Sequence, residues 1–376
     1  MGNKLKINIV SFDRRWLLDV ARELEMQGYE VYFYTALPYW RVKKFGLKRK
    51  SCKSIFYMMA PFIIIDRILP FYSTGWLSTI FDYIISLVLK PSDVYISVVY
   101  PHWKRSFKEA KIKSKFVLMD SGNTHILNQK KTFGDYWLSN KSPKLQNKYF
   151  EKKEIEYELE VLDKSDYILV PSQIVKQTYL NYNYLEYKLF YNPYGVDLSQ
   201  FYPLESIEKE YDIIMTGNWC YRKGCDLILE LCLKLNYSLL HVGPISDIPF
   251  PEYKNMTHVD PVDQNELKKY YSKAKIFVLP SREEGLALVQ PQAIACELPV
   301  VCSKYTGGKD IGEITGLKDW IFEMNDYSLE SLEDKVSEAL RFFSQNVKMD
   351  RSKLENISWK ANGERYNAFL KQLSVE

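Results

Sequence analysis

Four clusters of residues in this chain have the types and spacing to do chemistry: an acidic pair ending in Glu284, the basic pair Arg222-Lys223, the glycine pair Gly307-Gly308, and His125 in a polar loop. The acidic pair lies within residues 278–303, VLPSREEGLALVQPQAIACELPVVCS. There an apolar run ends at Pro280-Ser281, a polar loop follows, and a helical pattern leads to a second apolar run. The pattern predicts strand, loop, helix, strand. In such a unit a ligand sits at the carboxyl end of the strand, against the helix N-terminus. Gln292 follows Glu284 by eight residues, which in a helix is a rise of about 12 Å. Two polar side chains so placed reach two ends of one elongated ligand.

The stretch PSREEGLALVQPQAIACELPVV resembles the donor-binding signature of the retaining GT-B glycosyltransferases of glycosyltransferase family 4, also called glycosyl transferases group 1. The agreement is long and in register. It departs at Gln292, where the family carries a second glutamate, and at Glu297, where it carries glycine. Asn192-Pro-Tyr-Gly-Val-Asp resembles the interdomain segment of the same family. The likeness is good from Tyr167 to the C-terminus and loose before it.

The resemblance implies a nucleoside-diphosphate sugar as donor. Gly217-Asn-Trp-Cys-Tyr-Arg-Lys-Gly224 is similar to the family's diphosphate-gripping loop, with Lys223 at the lysine and Asn218 at the arginine position. Arg222 is the neighbouring cation able to replace that charge. A leaving diphosphate gains charge as the glycosidic bond breaks, so a fixed cation there favours the transition state. By the same likeness Glu284 meets the donor sugar and Gln292 the ribose. Ser281 and the backbone of Gly285, Leu286, Ala287, Leu288 and Val289 fill the space between sugar and phosphate. Gly307 and Gly308 free backbone amides for a second phosphate cradle. Pro291 has no N–H and fits only near a helix start.

On the acceptor side, some family members carry a histidine loop where Phe116–His125 stands here, so His125 is the candidate facing the sugar across the cleft. Glu284, His125 and Lys223 are the expected catalytic residues. Reactions of this type are drawn as front-face displacement, with the leaving phosphate oxygen taking the acceptor proton. No cofactor and no metal is expected: no Asp-x-Asp pair occurs, and four histidines are few for a metal site. The expected partners are a nucleotide-sugar and a glycan or polyprenyl-linked acceptor.

The elements that must position these residues follow from periodicity. Lys6–Phe12 reads as a strand, Asp13–Gln27 as a helix and Glu30–Ala36 as a strand, a doubly wound opening. A second α/β series begins at Tyr211. The expected fold is α/β, GT-B, with two Rossmann-like domains at residues 1–193 and 194–357. A C-terminal helix at 358–376 is expected to cross back to the first domain.

The length of 376 residues suffices for two such cores. Six cysteines without a C-x-x-C spacing read as reduced thiols of a cytoplasmic protein. The opening MGNKLKINIVSF reads as a strand rather than a signal peptide. From Val31 to Ile65 there is no acidic residue, and Arg41–Lys53 carries seven cations beside an apolar stretch. This suits an anionic membrane surface, contacted peripherally on the inner face of the cell membrane. Charges interrupt the apolar stretch, so no transmembrane helix is expected. A net charge of +4 without a recognisable motif disfavours nucleic acid. Surface-polysaccharide assembly is the expected setting. The competing reading, motivated by Gln292 and Asn218, is a catalytically weak relative that binds glycans or partners.

Overall fold

A computed structural model describes residues 5–68, 75–99, 103–139 and 151–373. The chain forms two compact units. The first holds Met1–Val170, Tyr179–Asn192 and Asn362–Glu376; the second holds Pro171–Thr178 and Pro193–Ala361.

Among the described residues the first unit carries seven strands: β1 (Lys6–Val10), β2 (Glu30–Thr35), β3 (Cys52–Ser54), β4 (Ser92–Val98), β5 (Ser114–Asp120), β6 (Tyr167–Val170) and β7 (Leu189–Tyr191). They pair in parallel in the order β3-β2-β1-β4-β5-β6-β7. Central strands bury nearly all of their positions on both faces: Ile7, Asn8, Ile9 and Val10 on β1 and Val94, Tyr95, Ile96, Ser97 and Val98 on β4. Such runs mark a parallel sheet covered on both faces.

The first helix spans Leu17–Met26, starting later than the sequence pattern suggested. Asp13 and Arg14 stay in the preceding loop, where Ser11 Oγ donates to the Asp13 carbonyl. The apolar region after β3 forms two 13-residue helices, Phe56–Ile68 and Trp76–Val88. Each is about 20 Å long, against a hydrocarbon core of about 30 Å. Among the described residues no helix is long and apolar enough to cross a membrane. A charged helix spans Lys152–Lys164.

The second unit has six strands: β8 (Tyr211–Thr216), β9 (Leu239–Val242), β10 (Met256–Val259), β11 (Ala274–Leu279), β12 (Val300–Cys302) and β13 (Ile321–Glu323). All pairs are parallel, in the order β10-β9-β8-β11-β12-β13.

Two segments fall differently from the expected 1–193 and 358–376 spans. Pro171–Thr178 belongs to the second unit, where Ser172 Oγ donates to the Gly285 carbonyl at 2.5 Å and the Gln173 N–H to Asp310 at 2.9 Å. The helix Trp359–Leu373 joins the first unit only from Asn362 onward. There Phe369 stacks on Phe190 at 4.1 Å, and Tyr29 donates to Asn367 at 2.8 Å.

Candidate active site

In the second sheet the winding reverses between β8 and β11. Open α/β sheets bind ligands outside the carboxyl ends of their strands at such a point. The loops leaving those two strands carry 217–224 and 280–288, so the sheet topology brings the candidate donor residues together.

Arg222 and Lys223 lie in the 3-10 turn Tyr221–Lys223. Both reach the loop after β11. Arg222 Nη1 donates to Glu283 Oε2 at 2.9 Å, and its Nη2 lies 3.5 Å from Glu284 Oε2. Lys223 Nζ donates to Glu284 Oε1 at 2.8 Å, and Ser281 Oγ to the same oxygen at 3.4 Å. A backbone bond from Arg282 N–H to the Arg222 carbonyl, 2.8 Å, fastens the two loops. Burial opposes ionisation of Glu284, but Arg222 and Lys223 outweigh it and hold the carboxyl below the ordinary carboxylate range. Burial likewise opposes the Arg222 charge, and Glu284 and Glu283 outweigh it.

The third loop joins the same cluster. The Glu284 N–H donates to the Tyr305 carbonyl at 3.0 Å. Gly307 has φ +75, and a Cβ there would lie 2.8 Å from Leu286, so its lack of a side chain lets the loop approach. Gly308 begins the helix Gly308–Thr315. Leu286 and Ala287 are buried, and Leu288 precedes the helix Val289–Ala295. Pro291 falls in its first turn, where a missing N–H breaks no helical bond. Gln292 is half-buried, its Oε1 accepting from the Tyr271 hydroxyl at 3.2 Å. Tyr271 also lies 2.8 Å from Thr216 Oγ1, at the end of β8. Asn218 is half-buried, and its carbonyl faces the Cys225 thiol.

His125 belongs to the first unit, just beyond β5. It is 1% exposed, stacked on Tyr182 at 4.2 Å and edge-on to Tyr179 at 5.2 Å. Burial lowers its pKa to about 4, against a smaller opposing pull from Asp163. The imidazole is therefore neutral near pH 7.

Several participants escaped the sequence reading. Glu283 pairs with Arg222, and the Glu-Glu and Arg-Lys doublets were its available signal. Arg282 lies over the Tyr221 ring at 3.6 Å and pairs with Asp226 at 2.7 Å. His241, on β9, reaches the Gly217 carbonyl at 2.9 Å. Among the described residues no three His, Cys, Asp or Glu side chains converge to hold a metal ion.

Residues 210–341 match the model of the family described as glycosyl transferases group 1. The capsular polysaccharide biosynthesis glycosyltransferase CapM of Staphylococcus aureus is 28% identical over 111 residues, 27% of this chain and 28% of that protein. The chain spans under half the length of the curated relatives it matches, 39% and 28%. Sucrose-phosphate synthase from Thermosynechococcus elongatus superposes with a TM-score of 0.63 at 14% identity, covering 99% of this chain and 100% of that one. Anabaena HepE in complex with UDP and glucose gives 0.62 at 9% identity, covering 98% and 99%. The loops that gather Arg222, Lys223 and Glu284 thus fall inside the stretch, residues 210–341, that matches the glycosyl transferases group 1 model, and the chain shares the GT-B fold of these solved structures.

Proposed function

We propose that this protein moves a hexose from a nucleoside-diphosphate sugar to a glycan or glycolipid hydroxyl, with retention of configuration and without a metal ion. One observation carries the reading: two cations and a buried carboxylate meet at the switch point of the second sheet, beside a glycine loop. In this reading Lys223 and Arg222 hold the diphosphate and stabilise its growing charge as the glycosidic bond breaks. Glu284 faces the sugar, and the peptide groups of Gly285–Val289, Gly307 and Gly308 bind between them. Gln290 supports a ligand here. Its side chain is buried, among the described residues neither amide atom has a hydrogen-bond partner, and it borders Gly308. Gln292 presents its NH₂ as a donor where a carboxylate would only accept.

The HepE structure, holding UDP and glucose, supports the donor class, and the name of CapM supports a polysaccharide setting. For the first unit, the reading adds an anionic membrane surface and a polyprenyl-linked acceptor. An open pocket of about 480 Å³ there is lined by Arg49, Lys50, Lys53 and Lys90.

The test is a thermal-shift screen of UDP-, GDP- and other nucleotide-sugars, followed by transfer assays with and without a chelator. One nucleotide-sugar raises the melting temperature in proportion to ln(1 + [L]/Kd), and its transfer survives chelation. Binding without turnover would favour a glycan- or partner-binding role, and no binding by any nucleotide-sugar would sink the assignment.

A further inference from the structure

The second unit contains a histidine pair that the proposed chemistry leaves unused. His241 on β9 and His258 on β10 are register partners in a parallel pair, so their side chains share a face of the sheet. Their Nδ1 atoms are 2.9 Å apart. On its other side His241 Nε2 lies 2.9 Å from the Gly217 carbonyl. His258 Nε2 lies 3.5 Å from Asp260 Oδ1. The His241 ring is fully buried, stacked on Phe250 and tilted against Trp219.

These contacts fix the protons. A carbonyl only accepts, so His241 Nε2 must carry hydrogen. Burial keeps His241 neutral near pH 7, so its Nδ1 is bare and accepts. His258 Nδ1 must then be the donor. The chain of bonds runs one way, from His258 through His241 to Gly217, and His258 selects the tautomer that His241 needs.

The Gly217 carbonyl is constrained from a second direction. Gly243 has φ +149, and a Cβ there would sit 2.1 Å from the Gly217 oxygen. The peptide joining Gly217 to Asn218 is planar and trans, so its N–H points opposite to its C=O. Holding the carbonyl against His241 and Gly243 therefore turns the Asn218 N–H away from them. That N–H has no hydrogen-bond partner among the described residues. Beside it, Lys223 Nζ lies 3.6 Å from the position a Gly217 Cβ would take.

We propose that His241 is a positioning residue, held in its working tautomer by His258, which orients the Gly217–Asn218 peptide so that the Asn218 N–H and Lys223 bind one diphosphate together. The inference rests on the donor-site reading above and assigns a function to a strand residue that touches no substrate.

The test compares His241→Phe, His241→Gln and His258→Phe in the full chain. Calorimetry measures affinity for UDP and GDP and for the matching nucleosides, and far-UV circular dichroism checks folding. Phenylalanine fills the space without a donor, whereas glutamine places an amide N–H near the former Nε2. The expected result is a loss of about tenfold in diphosphate affinity for the two phenylalanine variants, roughly one hydrogen bond to a charged group. Nucleoside affinity stays constant, and His241→Gln recovers to within about threefold of wild type. If His241→Phe does not fold, His258→Phe and the amide resonance of Asn218 carry the test. That resonance moves with the diphosphate and not with the nucleoside. Wild-type diphosphate affinity in folded His258→Phe with an unmoved Asn218 amide overturns the inference and leaves the donor reading standing. A wild-type protein that binds neither diphosphate overturns both.

Discussion

Glu284 stands in opposition to the cations around it. Arg222 and Lys223 bring two positive charges, and Glu283 and Glu284 return two negative ones. An incoming diphosphate therefore meets a neutral cluster rather than a basic one. It must share Lys223, which is 2.8 Å from Glu284. Two charges at such a distance interact appreciably near a protein surface, though less than in a dry interior. Removing the Glu284 charge should free Lys223 for the phosphate. Glu284→Gln is thus expected to bind the nucleoside diphosphate about fivefold more tightly, roughly 1 kcal/mol. Its transfer rate should fall by at least about a hundredfold, because the carboxylate that offsets positive charge on the sugar is gone. Calorimetry on the diphosphate, set beside initial transfer rates, checks both directions. Weaker binding by the variant would mean that Glu284 holds the cations in place rather than competing for them.

At the scale of elements, what the sequence disclosed depended on length and locality. β1, β4, β8 and β11 each carry at least four consecutive buried positions and were legible as apolar runs. β3 and β13 have three residues each at sheet edges, too short to establish a period, and only the structure reveals them. The segment after β10 starts as a 3-10 turn at Gln264–Glu266 and goes on as a helix over Leu267–Ser272, a change of winding too short for a periodic pattern to mark. At the site, the motif register located Lys223, Glu284 and Gly307 one loop at a time. The ion pairs between the first two join residues 61 apart, and they exist because β8 and β11 are neighbours, which no local pattern encodes.

The pairing of β8 with β9 in turn makes the loop after β8 sensitive to a change just beyond β9. Gly243→Ala would set a methyl group 2.1 Å from the Gly217 oxygen at a φ of +149. The cost combines backbone strain with overpacking, roughly 2–4 kcal/mol. Gly316→Ala is the control: its φ is +67 but a Cβ would meet nothing within 4 Å, so only the left-handed backbone is penalised, by about 1 kcal/mol. Urea unfolding should rank them in that order, with diphosphate affinity reduced only in the Gly243 variant. Equal midpoints would show that the β8 loop yields freely, against the packing around Gly217.

At the scale of the whole molecule, the first unit carries an exposed apolar helix beside a basic cluster. The helix Phe56–Ile68 is apolar throughout its middle yet buries only Met59. Tyr57 is 81% exposed, Ile64 56% and Ile68 70%. A helix of this kind in water leaves its apolar surface unused, and such a surface beside charge is a docking feature. The charge comes from Lys43, Lys44, Lys48, Arg49 and Lys50, all exposed, with no carboxylate from Val31 to Ile65 to offset them. A partner that is negative at its face and apolar beneath satisfies both at once, and an anionic bilayer is such a partner. The protein is expected to co-sediment with vesicles containing about a third anionic lipid and not with neutral ones. Each cation near the surface contributes roughly 1 kcal/mol, so reversing Lys48, Arg49 and Lys50 to glutamate should weaken partitioning by more than a hundredfold. Ile64→Ser with Ile68→Ser tests the apolar component separately and should weaken binding even at low salt, where the charges act most strongly. Vesicle binding that survives the charge reversals, or that is equal for neutral lipid, would exclude this face as an electrostatic dock. The donor site would be untouched by that outcome, because every residue assigned to it lies in the other unit.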